Sequence, residues 1–176
     1  VNWEDRNTCV LFGDGAGAAV IGLSPDSEHG IIDTMIYCDG EEPELLCRKG
    51  GGTLPGSKPE DNFISMEGGG VFKRAVTAMG DTSMQILKNS GYSGDDVDLL
   101  VTHQANIRII EATAKRVKLP MDKVYVNVNE YGNTSAATIP LALAEAKREG
   151  KLKPGMLVVL AAFGAGFTWG SALVRI

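Results

Sequence analysis

Two short blocks of this 176-residue chain hold the side chains best suited to chemistry: His103-Gln104-Ala105-Asn106-Ile107-Arg108 and Gly132-Asn133-Thr134-Ser135. The histidine follows the apolar run Leu99-Leu100-Val101, the asparagine comes after Val124-Tyr125-Val126, and each precedes a helix-like stretch. Open α/β sheets gather reactive groups in the crevice beyond the carboxyl ends of their strands. A neutral imidazole and a primary amide both offer N–H donors. Two such donors meeting at one point form an oxyanion hole, which stabilises the negative oxygen of an enolate or tetrahedral adduct. Other assignments compete: a lone histidine is more often structural, and Asn133 can instead cap a helix starting near Ser135. Nothing in the chain reads as a primed nucleophile.

The elements that must position these residues follow from periodicity and punctuation. Residues 8–12 and 18–23 read as β-rich runs joined through Gly13-Asp14-Gly15-Ala16-Gly17, and 31–38 as a further strand,. Residues 39–65, rich in Gly, Pro and charge, read as a long surface excursion, with Gly50-Gly51-Gly52 and prolines at 43, 55 and 59 as markers,. Gly68-Gly69-Gly70 then opens a helix over about 71–90, with Val71, Ala75, Ala78, Met79 and Ile86 among its apolar positions and Gly91 as its stop,. Strands at 97–102 and 124–126 alternate with helices at 107–117 and 135–148, and 156–163 with 168–176 closes a hairpin around Gly164-Ala165-Gly166,. This order predicts an α/β fold, a mixed five-stranded sheet with a parallel core and helices on its faces.

Bulk properties exclude several classes. The chain is 44% hydrophobic and 22% charged, with no apolar run long enough to span a bilayer,. A net charge of −5 argues against nucleic acid as a partner,. Cys9, Cys38 and Cys47 are odd in number and lack metal-ligand spacing, which fits a reducing cytoplasm,. With Val1 first and a strand expected within ten residues, the chain is expected to be a fragment or processed product. Gly13 to Ala18 satisfies the loose pattern G-x-G-x-x-A, but β-like residues and Pro25 follow where a dinucleotide site needs a helix,. A tight hairpin is the preferred reading there. Gly68 to Gly70 leaves two readings open, a ligand-contacting helix start or a simple junction.

Five ordered motifs carry a family resemblance: Asp5-Arg6-x-Thr8 through Leu11-Phe12-Gly13-Asp14-Gly15-Ala16-Gly17-Ala18; Met66-x-Gly68-x-x-Val71-Phe72-Lys73; His103-Gln104-Ala105-Asn106-x-Arg108-Ile109; Gly132-Asn133-Thr134-Ser135-Ala136-Ala137-x-Ile139-Pro140; and Phe163-Gly164-x-Gly166-x-Thr168-Trp169-Gly170. Together they resemble the carboxyl-terminal half of β-ketoacyl-acyl-carrier-protein synthase III, a condensing enzyme that starts type II fatty acid synthesis. The resemblance implies a thiolase-like half and a single unit over 1–176, with the nucleophile-bearing amino-terminal half absent. It implies a Cys-His-Asn triad of which His103 and Asn133 are the last two members, with no cysteine here matching the nucleophile. The chemistry implied is acyl transfer from acyl-CoA to a cysteine, then decarboxylative condensation with malonyl-acyl carrier protein, and the isolated chain is expected to be inactive. No cofactor or metal is implied.

Position by position, Met66, Gly68, Phe72, Ala105 and Asn106 match places along a pantetheine arm, though local packing accounts for Met66 and Phe72 nearly as well. Lys73, Arg108, Lys115 and Arg116 match positions that meet acyl carrier protein. The competing reading for Lys115, Arg116 and Lys118 is a helix C-terminus, where cations complement the dipole. Gly164-Ala165-Gly166 departs from the family's three glycines by one methyl. The partners implied are acyl carrier protein, acyl-CoA, the missing half and a second copy in a homodimer, in the cytoplasm, with neither nucleic acid nor membrane. The alternatives are a polyketide starter synthase or acyltransferase of the same fold, and an inert self-associating fragment.

Overall fold

The computed structural model describes residues 1–24, 26–51 and 58–176. Pro25, Gly52 and Pro55, used above as loop markers, lie outside them. The main sheet has the order β1-β6-β5-β4, built from β1 (Gly30–Cys38), β4 (Leu99–Thr102), β5 (Leu157–Gly164) and β6 (Thr168–Arg175). β1 and β5 each run antiparallel to β6, and β4 runs parallel to β5. At the far edge Val124 makes a single parallel bridge to Leu100, so the fifth expected strand is one bridge deep.

Helices cover both faces, which is why β4 is buried throughout,. Leu100 points to the side covered by α1 (Gly68–Asn89) and α2 (Ile107–Val117), packing with Ile86, Ile110, Val117 and Val159. Leu99 and Val101 point to the other side, against Ala142 and Ala146 of α4 (Thr138–Arg148). Glu67 caps α1 by accepting from Gly70 N–H at 2.6 Å. Gly91, at φ 76°, follows its C-cap. The helix expected from Ser135 begins as a 3-10 turn over Ser135–Ala137 before α4 proper, and a short α3 (Val128–Tyr131) precedes it.

Two expectations fail. Residues 8–11 form turns rather than a strand, and Phe12 makes only an isolated parallel bridge to Asn133, because the Thr8 hydroxyl bonds Asp5 Oδ2 at 2.6 Å and the N–H groups of Thr8 and Cys9 both return to the Asp5 carbonyl. That local side-chain bond outweighs β propensity. Residues 18–23 are exposed and have no regular secondary structure, with no strand beside them among the described residues, so the expected hairpin is absent. The excursion is also more ordered than its composition suggested. It holds β2 (Leu46–Arg48) paired antiparallel with β3 (Ile64–Met66), which sets Met66 just ahead of α1.

Candidate active site

His103 is the first residue beyond β4, and its N–H prolongs the ladder by donating to Ala161 O at 2.7 Å. Its ring is half-buried, with Nδ1 2.7 Å from Thr138 Oγ1. Burial pushes its pKa from 6.5 down to about 4,. The unfolded chain therefore takes up a proton in a window where the folded ring stays neutral. Fewer protons on the folded state means stability falls as pH drops from about 6.5 to about 4, then levels off,. Urea midpoints measured across that window check the slope, and His103→Gln is expected to flatten it. A slope unchanged in that variant assigns the acid sensitivity to other groups.

Asn133 arrives on a loop held from three sides. Its N–H donates to Leu11 O at 2.9 Å and its carbonyl accepts from Gly13 N–H at 3.0 Å. Gly132, at φ 66°, turns the chain out of α3. Below, Glu145 of α4 accepts from Asn127 Nδ2 at 2.9 Å and Tyr131 Oη at 2.7 Å, bonds that hold its carboxyl below the ordinary range. The Asn133 side chain is oriented too, since its Oδ1 accepts from Ser135 N–H at 2.9 Å. That leaves the amide nitrogen, two N–H donors, for the cavity.

This arrangement explains the glycines at 13, 15 and 17. A β-carbon on Gly13 would overlap the Tyr131 carbonyl, one on Gly15 would lie 3.0 Å from Thr134 Cγ2 and Leu141 Cδ1, and one on Gly17 would meet the Pro140 ring at 2.5 Å. The glycine-bearing segment lies against the stretch that carries Asn133. Close approach, not a nucleotide or a tight hairpin, sets the pattern.

His103 and Asn133 line the same two cavities. The first, about 580 Å³, is also bounded by Met66, Gly68, Phe72, Ala105 and Asn106. All five residues expected along an arm channel are therefore gathered with the pair. Asn106 also caps α2, accepting from Arg108 N–H at 2.9 Å. The second cavity, about 590 Å³, is mainly apolar and includes Phe12, Ile139, Ala165 and Trp169. The two meet at Leu46, His103, Asn133 and Phe163. A polar pair stands where two channels join.

A family model described as 3-oxoacyl-[acyl-carrier-protein] synthase III C terminal matches residues 87–176, and one described as 3-oxoacyl-[acyl-carrier-protein] synthase III matches residues 1–40. The chain belongs to the 3-oxoacyl-[acyl-carrier-protein] synthase III family. Among curated relatives named beta-ketoacyl-[acyl-carrier-protein] synthase III, that of Oleidesulfovibrio alaskensis is 47% identical over 182 aligned positions, covering 99% of this chain and 55% of the relative. That of Xanthomonas axonopodis pv. citri is 50% identical over 177, covering 99% and 54%. The crystal structure of 3-oxoacyl-[acyl-carrier-protein] synthase III from Aquifex aeolicus superposes with a TM-score of 0.89 at 44% identity, covering 99% of this chain and 53% of that one. The structure from Thermus thermophilus gives 0.92 at 41%, covering 100% and 55%. The chain thus spans about half the length of these relatives, and its fold is the expected thiolase-like α/β half.

The basic residues of this synthase III chain divide on inspection. Arg108 is exposed and lies 5.3 Å over the ring of Phe72, which lines the first cavity. Lys73 and Lys115 are exposed. Arg116 is committed to Asp81, with Nε 2.7 Å from the carboxylate, and its aliphatic stem covers Gly80. Arg74 pairs with Glu42 and Asp39. Cys9 and Cys47 are half-buried, Cys38 is exposed, and all three are free thiols. Cys47 borders the second cavity. No helix among the described residues is long and apolar enough to cross a membrane.

Sequence reasoning gave no site role to Thr138, Ser135 or Phe163. Thr138 and Ser135 left only the weak signal of hydroxyl residues at a helix start. Phe163 sits at the end of a strand read as core, yet it borders both cavities.

Proposed function

We propose that this chain is the carboxyl-terminal half of a β-ketoacyl-acyl-carrier-protein synthase III, an acyltransferase that joins an acyl-CoA primer to malonyl-acyl carrier protein. The observation that carries this reading is the meeting of His103 and Asn133 with five arm-lining residues at one cavity. A cysteine thiolate from the amino-terminal half takes the acyl group from acyl-CoA as a thioester. The malonyl thioester then releases carbon dioxide, and the electrons of the broken C–C bond become an enolate whose oxygen is held by His103 and Asn133. The enolate carbon attacks the cysteine-bound carbonyl, a new C–C bond forms, and the thiolate leaves. None of these steps needs a metal or cofactor. The reaction requires donor and acceptor carbons to meet, so the isolated chain is inactive.

Acyl carrier protein, an acidic partner, docks beside the channel mouth, with Arg108 as the anchor and Lys73 and Lys115 around it. Arg116 contributes less, because Asp81 already neutralises it,. The exposed Val20, Ile21, Leu23 and Ile36 fit burial against the amino-terminal half or a second copy in a homodimer,. The unit 1–176 acts with that half in the cytoplasm. A second reading, priming of polyketide synthesis, is favoured by one likeness. The priming β-ketosynthase of the R1128 polyketide pathway has a TM-score of 0.85 at 33% identity, covering 97% of this chain and 52% of that one.

The test is reconstitution. Mixing the chain with a separately produced amino-terminal half and acyl-CoA is expected to release carbon dioxide from malonyl-acyl carrier protein, while neither half alone does so. A folded mixture that binds both substrates without decarboxylation overturns the proposal, as does full activity of this chain alone.

A further inference from the structure

One residue ties together the two polar side chains of the site. Ser135 N–H donates to Asn133 Oδ1 at 2.9 Å, and Ser135 C=O accepts from Thr138 Oγ1 at 3.0 Å. Thr138 Oγ1 lies in turn 2.7 Å from His103 Nδ1. A hydroxyl has one proton to donate, and a carbonyl can only accept. With that proton given to Ser135 O, the imidazole nitrogen is the donor in the contact with Thr138, and this is the arrangement the proposal adopts. A neutral ring carries one N–H, so Nε2 keeps its lone pair.

Two further features hold the hydroxyl in this role. Thr138 is 3% exposed, which leaves its hydroxyl little solvent to turn to. Its backbone N–H also closes the 3-10 turn onto Ser135 O, fixing hydroxyl and carbonyl on one side of the helix start. Ser135 itself adopts φ 54°, a left-handed conformation uncommon outside glycine,. Its N–H and C=O thereby serve the two site residues at once.

We propose that Thr138 is a positioning residue that fixes His103 as the Nδ1–H tautomer, so that the resting site presents a lone pair from His103 beside an N–H from Asn133. The chemical consequence rests on the function proposed above. His103 Nε2 first accepts the proton of the amino-terminal half's cysteine: the S–H bond breaks, an N–H bond forms, and a thiolate is left. The thiolate takes the acyl group, the CoA leaves as a thiolate that solvent protonates, and the imidazolium keeps its proton, facing first the malonyl carboxylate and then offering that N–H to the enolate oxygen. The ring becomes a donor only after protonation, in place of the neutral donor expected from sequence. A buried charged ring suits the site only while an anion faces it.

The tautomer can be read without turnover, which separates this inference from the functional one. Long-range ¹H–¹⁵N correlation spectra of the histidine-labelled chain at neutral pH, with His29→Gln to tell the two rings apart, are expected to show His103 Nδ1 protonated and Nε2 bare. Thr138→Ser is expected to keep this pattern, and Thr138→Val to move the proton to Nε2. A wild-type ring protonated at Nε2 overturns the proposal, and so does a Thr138→Val ring that keeps the wild-type pattern. Should Thr138→Val not fold, the wild-type and Thr138→Ser spectra decide alone, since loss of the Nδ1–H pattern in either is fatal. A reconstituted pair of halves with no condensing activity, beside this tautomer in the chain, defeats only the functional proposal.

Discussion

In a complete enzyme carrying this chain, Asn133→Ala is expected to slow malonyl decarboxylation by about 10²- to 10³-fold, the range for removing one oxyanion donor. The loss is expected in kcat and in kcat/KM alike, because in the proposed role the amide meets the substrate oxygen most strongly when it bears charge. Collapse of the loop is not the cause. Its attachment to Leu11 and Gly13 uses the main chain of Asn133, which the substitution leaves in place. Asn133→Asp makes the sharper comparison. It retains an oxygen for Ser135 N–H but turns the donor into a second acceptor, so it is expected to be at least as impaired as alanine. Release of labelled carbon dioxide from malonyl-acyl carrier protein measures both variants. An unchanged rate in Asn133→Ala removes the amide from the chemistry.

The second large effect is expected one residue beyond the histidine, and it concerns stability. Gln104 is buried, and its amide is fully used: Nε2 donates to Thr102 O at 3.0 Å and Tyr125 O at 3.1 Å, while Oε1 accepts from Asn127 N–H at 3.0 Å. It stitches the end of β4 to the segment leading toward Asn133. Gln104→Leu matches the volume but strands two carbonyls and one N–H in the interior. Each such group costs about 1–3 kcal/mol, so a loss of at least about 3 kcal/mol is expected. A urea midpoint lowered at unchanged slope reports it. A midpoint equal to that of the unaltered chain means that water replaces the amide, and Gln104 is then no stitch.

These residues differ in how visible they were beforehand. The limits of α2 were readable at both ends, because Asn106 is a good cap and the apolar period runs unbroken to Val117,. Residues 8–12 misled, since a run of β-formers gives no sign that Asp5 and Thr8 will bond across a turn. The short β2 and β3 pair across a long separation, with too few residues for an alternating pattern to register. For the site, His103 and Asn133 stood out by type and by place after apolar runs. Thr138 did not. Its importance comes from a contact across 35 positions of chain, and its local setting reads as an ordinary helix start. The glycines at 13, 15 and 17 were conspicuous, but what they make room for lies more than a hundred residues away.

The contact between Arg116 and Gly80 bears on the caliber of the first cavity. One wall of that cavity stands on α1, at Val71, Phe72, Ala75 and Met79, and the facing wall on Ala105, Asn106 and Ile109 at the start of α2. The two helices close on each other where the Arg116 stem lies against Gly80, and a β-carbon there would sit 3.1 Å from Arg116 Cβ and 2.9 Å from Cγ. This hydrogen-sized gap is a gauge block for the passage one helix turn further on. A larger residue at 80 would wedge the helices apart and widen the bore without touching any atom that lines it, loosening the grip proposed for a slender chain threaded between them.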